Sequence, residues 1–83
     1  MHYIYILQDE SAKIYVGYTN DLRRRVGHHK HGEVNTTKAY NNPTLVWYCA
    51  FKSKKRALEF ERYLKRGSGH AFMRKHLLHT YEN

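Results

Sequence analysis

The chain has 83 residues, of which 41% are hydrophobic and 14% aromatic, which suits one small domain and leaves no room for two. Its longest apolar run, Leu45–Phe51, is seven residues and falls far short of the roughly 20 that a membrane-spanning helix needs. Fifteen Lys and Arg against seven Asp and Glu leave a net charge of +8, an excess that favours a polyanionic partner, nucleic acid before a membrane surface.

"HYIYIL" (His2–Leu7) is β-branched and aromatic and reads as a strand. Gln8–Ala12 is polar and turn-like, and "KIYVGY" (Lys13–Tyr18) reads as a second strand, antiparallel to the first. Thr19, Asn20 and Asp21 offer acceptors for a helix start, and the helix is expected to run to about Lys30 with Gly32 as its stop. Glu33–Thr44 is a polar connection that holds the one proline, Pro43. Leu45–Phe51 fits a third strand. Ser53 caps a second helix that ends before Gly67, "GSG" (Gly67–Gly69) breaks the chain, and a short last helix follows around Ala71–Leu78. The order β-β-α-β-α-α predicts an α+β domain, a small three-stranded antiparallel sheet flanked by helices. No repeat or low-complexity tract interrupts it.

Three adjacent arginines open the first helix. At about 100° per residue with Leu22 at zero, Val26 falls at about 40°, His29 at about 340° and Arg25 at about 300°, an arc of core-facing width. Arg23 and Arg24 fall outside it, at about 100° and about 200°. Arg25 and His29 therefore border the buried side as an i, i+4 pair, although a charged guanidinium is rarely buried without a partner. The second helix carries the opposite charge. With Ala57 at zero, Leu64 falls at about 340°, Phe60 at about 300° and Glu61 at about 40°, while Glu59 lands at about 200° on the outside. Glu61 is thus an acid on a core-facing stripe, open to two interpretations. It forms a buried salt bridge with Arg25, or it stands at a cleft to bind a hard divalent cation through oxygen. In the strands, alternation puts Tyr3, Tyr5 and Leu7 on one face and Ile4 and Ile6 on the other. Tyr5 and Tyr15 then stand side by side on the outer face, as ordinary tyrosine packing or as a site, with Gly17 leaving room for an incoming backbone.

Together these residues resemble the GIY-YIG nuclease family. Tyr3-Ile4-Tyr5 matches its first motif and Tyr15-Val16-Gly17 its second. The family's Arg eight residues after that Gly, and its His four further on, fall on Arg25 and His29. "FERYLKRGSGHAF" (Phe60–Phe72) resembles the region of the family's metal-binding acid and puts that acid on Glu61. The resemblance covers about His2 to Leu78. Tyr3 stands where the first motif has Gly, and the family's late Asn has no assigned match, Asn83 included. The resemblance implies a GIY-YIG-like fold and a metal-dependent endonuclease that cleaves phosphodiester bonds in nucleic acid, DNA in the first place. Tyr5, Tyr15, Arg25, His29 and Glu61 would be catalytic, and Glu61 would hold Mg²⁺ or Mn²⁺. The base is Tyr5 or Tyr15, with Tyr5 preferred because His29 or Tyr15 would hydrogen-bond it.

"KSKKR" (Lys52–Arg56) places four cations around a helix start, where they oppose the helix dipole. A solvated face would explain them, and so would phosphate contact. The second reading makes Arg23, Arg24, Lys54, Lys55 and Arg56 a basic rim for nucleic acid. With no second domain to read bases, little sequence specificity is expected. "HHKH" (His28–His31) is a weak zinc candidate, because only His28 and His31 share a helix face and no cysteine lies close. The rival to an enzyme is a basic module that binds nucleic acid without cutting it, which would have no use for Glu61. The lone Cys49 and the absence of a charged-then-apolar leader lead to the expectation of a reducing cytoplasm.

Overall fold

The computed structural model describes residues 1–32 and 38–78. Three strands, β1 (His2–Gln8), β2 (Ile14–Thr19) and β3 (Thr44–Phe51), form one antiparallel sheet in the order β2-β1-β3. The helices are α1 (Leu22–Lys30), α2 (Lys54–Leu64) and α3 (Gly67–Phe72), and α3 runs on into a π-helical segment, Met73–Leu77. This is the expected α+β layout, with the most buried strand, β1, in the middle.

Alternation along β1 sorts the residues as its period requires. Ile4 and Ile6 join Val16, Ala57, Leu64 and Met73 in the core between the sheet and α2 and its successors. Tyr5 and Leu7 face the other way and are also fully buried. The pairing of β1 with β3 slips between Ile6 and Leu7, so that Ile6 faces Trp47 and Leu7 faces Leu45. Val46 is the extra residue of this bulge.

The helix ends follow capping chemistry. The Asp21 carboxylate accepts from the Arg24 N–H, and the Ser53 hydroxyl accepts from the Arg56 N–H. Gly32, past the end of α1, has φ +72°, a left-handed conformation that glycine adopts without strain. Asp9 organises the β1–β2 loop. Its carboxylate accepts from the backbone N–H groups of Ser11, Lys13 and Asn41 at 2.8–2.9 Å and from the Ser11 hydroxyl. Burial works against the charge, but these bonds outweigh it and hold the carboxyl below its usual range.

One expectation fails. Gly67–Gly69 does not break the chain but begins α3. The reason is a close approach: a Cβ on Gly69 would overlap the Tyr63 carbonyl, so glycine lets α3 pack tightly on the end of α2.

Candidate active site

The second motif lies on β2, an edge strand, directly beside the first. Tyr5 pairs with Gly17 across the ladder and Leu7 with Tyr15. α1 crosses the same face and sets His29 between the two phenols. The Tyr5 hydroxyl lies 2.7 Å from His29 Nε2. The His29 ring packs on Tyr15 with centroids 4.8 Å apart, and the Tyr5 and Tyr15 ring centroids are 6.1 Å apart. Gly17 has a different task from the one expected. A Cβ there would lie 2.5 Å from the Tyr5 hydroxyl and 2.8 Å from Tyr15 Cε2, so its bare Cα makes room for the two rings rather than for an incoming backbone.

Arg25 interacts with both phenols. Its Nε is buried and has no hydrogen-bond partner among the described residues. A buried N–H left unpaired in this way is uncommon, and an anion bound there would satisfy it. Arg23 and Arg24 are exposed, as the helical period requires.

The three groups set one another's protonation. Burial pushes the Tyr5 phenol up to about 12, against the pull of the neighbouring Arg25 guanidinium. Burial pushes the His29 imidazole down to about 4, and the positive charge of Arg25 adds to the effect. At neutral pH Tyr5 is therefore protonated and His29 is neutral. Arginine only donates. The Tyr5 oxygen lies between the Arg25 guanidinium and His29 Nε2. Tyr5 is therefore rarely ionised near neutral pH, and its hydroxyl sits against the imidazole. Tyr15 is only partly buried, and a groove of about 280 Å³ runs along the β2 edge past Tyr15, Val16, Lys65 and His70.

Glu61 comes from the opposite face of the sheet, on α2. Its side chain is 19% exposed, and it pairs with Lys65 at 3.1 Å. No ion pair joins Arg25 to Glu61 among the described residues, so the buried salt bridge considered from sequence does not form. Glu59 is exposed. A single oxygen ligand, with no cluster of three ligating side chains among the described residues, fits Mg²⁺ or Mn²⁺ only if substrate and water complete the shell. Glu61 suits that role by its hard donor and partial exposure. Sequence reasoning missed Lys65, although its position four residues after Glu61 is the favourable order for a helical ion pair.

Lys54, Lys55 and Arg56 are exposed at the start of α2, with the Lys54 ammonium 5.8 Å from the Tyr18 ring centroid. β2 ends opposite Tyr3 and β3 ends opposite His2, so α1 and α2 both set out from the same end of the sheet. Their five cations gather at that end. Asn83 lies outside the described residues.

The model of the GIY-YIG catalytic domain matches residues 1–75. This chain belongs to the GIY-YIG family. The GIY-YIG relatives include a UPF0213 protein of Streptococcus pneumoniae, 37% identical over 65 residues, which cover 77% of this chain and 66% of the relative. A UPF0213 protein of Clostridium perfringens is 33% identical, over 80% of this chain and 72% of its own length. The solution structure of a UPF0213 protein from Bacillus halodurans is similar with a TM-score of 0.56 and 33% identity, over 89% of this chain and 80% of that one. The chain thus spans about two thirds of the length of several curated relatives that it matches. As a GIY-YIG domain it belongs to a nuclease family. Among the described residues no helix is long and apolar enough to cross a membrane.

Proposed function

We propose that this GIY-YIG domain is a metal-dependent endonuclease that cleaves phosphodiester bonds in nucleic acid, DNA in the first place, with little sequence specificity. The observation that carries it is the cluster of Tyr5, His29, Tyr15 and Arg25, in which a buried neutral imidazole orders two phenols beside an underused guanidinium. Arg25 binds the oxygens of the scissile phosphate through its N–H fork and stabilises the charge that builds up as water attacks. Tyr15, partly exposed beside Arg25, orients that water. Tyr5 and His29 hold Tyr15 and exclude other water from its inner side. Glu61 would hold the metal ion, which supplies charge stabilisation at the phosphate and the leaving oxygen when bound. The basic rim of Arg23, Arg24, Lys54, Lys55 and Arg56 supplies phosphate contacts that do not depend on sequence. The lone Cys49 fits a protein that works in the cytoplasm.

A nicking assay on supercoiled plasmid with Mg²⁺ or Mn²⁺, run beside melting temperatures, tests the assignment. Glu61→Gln should fold, bind DNA and fail to nick, whereas Glu59→Gln should nick normally. A Glu61→Gln protein that nicks at the wild-type rate would overturn this mechanism.

A further inference from the structure

A groove of about 510 Å³ lies between α1 and β3 and takes no part in the reaction above. Its floor holds Tyr3, Tyr48 and Leu45, and Leu22, Arg23 and Val26 of α1 form its wall. Tyr48 is 52% exposed and Leu45 37%, a large apolar exposure for so small a protein. The Tyr3 and Tyr48 rings stand 6.3 Å apart at 59°, an open wedge on the sheet. Tyr48 pairs directly with the site residue Tyr5 across the β1–β3 ladder. α1 covers Tyr5 completely but leaves Tyr48 in the open.

A second, smaller groove of about 240 Å³ holds Arg24, Arg25 and His28 on the other flank of α1. Asn20 and Asp21 line both grooves, which therefore meet around the start of the helix. Each flank carries a cation, Arg23 on one and Arg24 on the other. The chemistry of the two grooves differs. The smaller one is polar and cationic and suits phosphate. The larger one is lined by the Tyr3 and Tyr48 rings and by Leu22, Val26 and Leu45, and suits the flat face of a base.

We propose that the α1–β3 groove takes one unstacked nucleobase of the strand whose phosphate lies at Arg25. The substrate class is then nucleic acid with an unpaired nucleotide beside the cleaved bond. Bases within a regular duplex are stacked away from such a wedge and reach it only when unpaired or turned out. Placing the phosphate at Arg25 rests on the nuclease mechanism above, but the base groove does not.

The test measures binding without cleavage, in EDTA, with a short single-stranded oligonucleotide carrying a central 2-aminopurine and with the same oligonucleotide annealed to its complement. The wild type should quench the single-strand fluorescence. Tyr48→Ala should lose on the order of tenfold in single-strand affinity, the scale of one base stacked on an aromatic ring, and keep its duplex affinity. Tyr48→Phe keeps the ring and should bind as the wild type does. Equal single-strand affinity for Tyr48→Ala and wild type would overturn the proposal, as would an equal loss in both strands. A Tyr48→Ala change that alters only the sedimentation of the protein would assign the groove to a second copy and overturn it too. Cleavage is scored separately. A wild type that stacks the base and never cuts retains the groove and loses the nuclease, and one that cuts without regard to Tyr48 does the reverse.

Discussion

Gly17→Ala probes the site through its packing. The added Cβ would lie 2.5 Å from the Tyr5 hydroxyl, 2.6 Å from Tyr5 Cζ and 2.8 Å from Tyr15 Cε2. Ordinary contact begins at 3.4 Å, so the Tyr5 ring has to retreat by about 0.9 Å. Tyr5 is fully buried and has no open side to retreat into. The move also pulls its hydroxyl away from His29 Nε2, now 2.7 Å distant. Overpacking of this kind costs about 1–3 kcal/mol, and the lost hydrogen bond about 1 kcal/mol more. For a domain of this size, each kcal/mol moves the melting temperature by roughly 4–8 °C, so a fall on the order of 10–30 °C is expected. Cleavage measured well below that temperature should also drop, because both phenols are displaced. Gly27→Ala is the control. Nothing lies within 4 Å of its Cβ position, and alanine inside α1 should stabilise by about 0.5–1 kcal/mol. A Gly17→Ala protein with unchanged melting and full nicking activity would refute the packing described for the site.

His29 predicts a pH profile. Its pKa is about 4 in the fold against 6.5 when free, so between those values the unfolded chain binds a proton that the fold refuses. Stability should be fully present above about 6.5 and fall as the pH drops toward 4, by up to about 3 kcal/mol, and His29→Gln should flatten that part of a melting series. Tyr5, raised to about 12 from 10.0, adds a loss at the alkaline end as the pH climbs through that interval. Arg25→Ala should abolish nicking with most DNA affinity kept, whereas Arg24→Ala, exposed on the next flank, should weaken binding slightly and spare the chemical step, as binding and single-turnover assays would show. Asp9→Asn should lower the melting temperature and leave DNA affinity alone, because one amide oxygen cannot accept all the bonds that the carboxylate takes in the β1–β2 loop.

Much of the scaffold was legible because it depends on local periods and caps. The alternation along β1 separated Ile4 and Ile6 from Tyr3 and Tyr5, and the helical step of about 100° separated Arg25 from Arg23 and Arg24 and Glu61 from Glu59. Asp21 and Ser53 marked both helix starts by the side chains they offer to the backbone. What the sequence could not determine was which residues meet through space. The resemblance offered His29 or Tyr15 as the partner of Tyr5, and the crossing of α1 over the sheet puts the imidazole of His29, 24 residues away, at that hydroxyl. The value of a glycine was also hidden. Gly17 reads as space for an incoming backbone and Gly69 as a local break, yet each is required by a group brought close by the tertiary fold, the Tyr5 ring for one and the Tyr63 carbonyl for the other. Glu61 was placed on the right face of its helix but given the wrong rival partner, since a helical period gives direction and not distance, and Lys65 lies one turn away. The exposed Tyr48 wedge had no signature at all in an apolar strand. It exists because the fold seals Tyr5 beneath α1 and leaves the neighbouring Tyr48 half exposed, a matter of where a helix lands on a sheet.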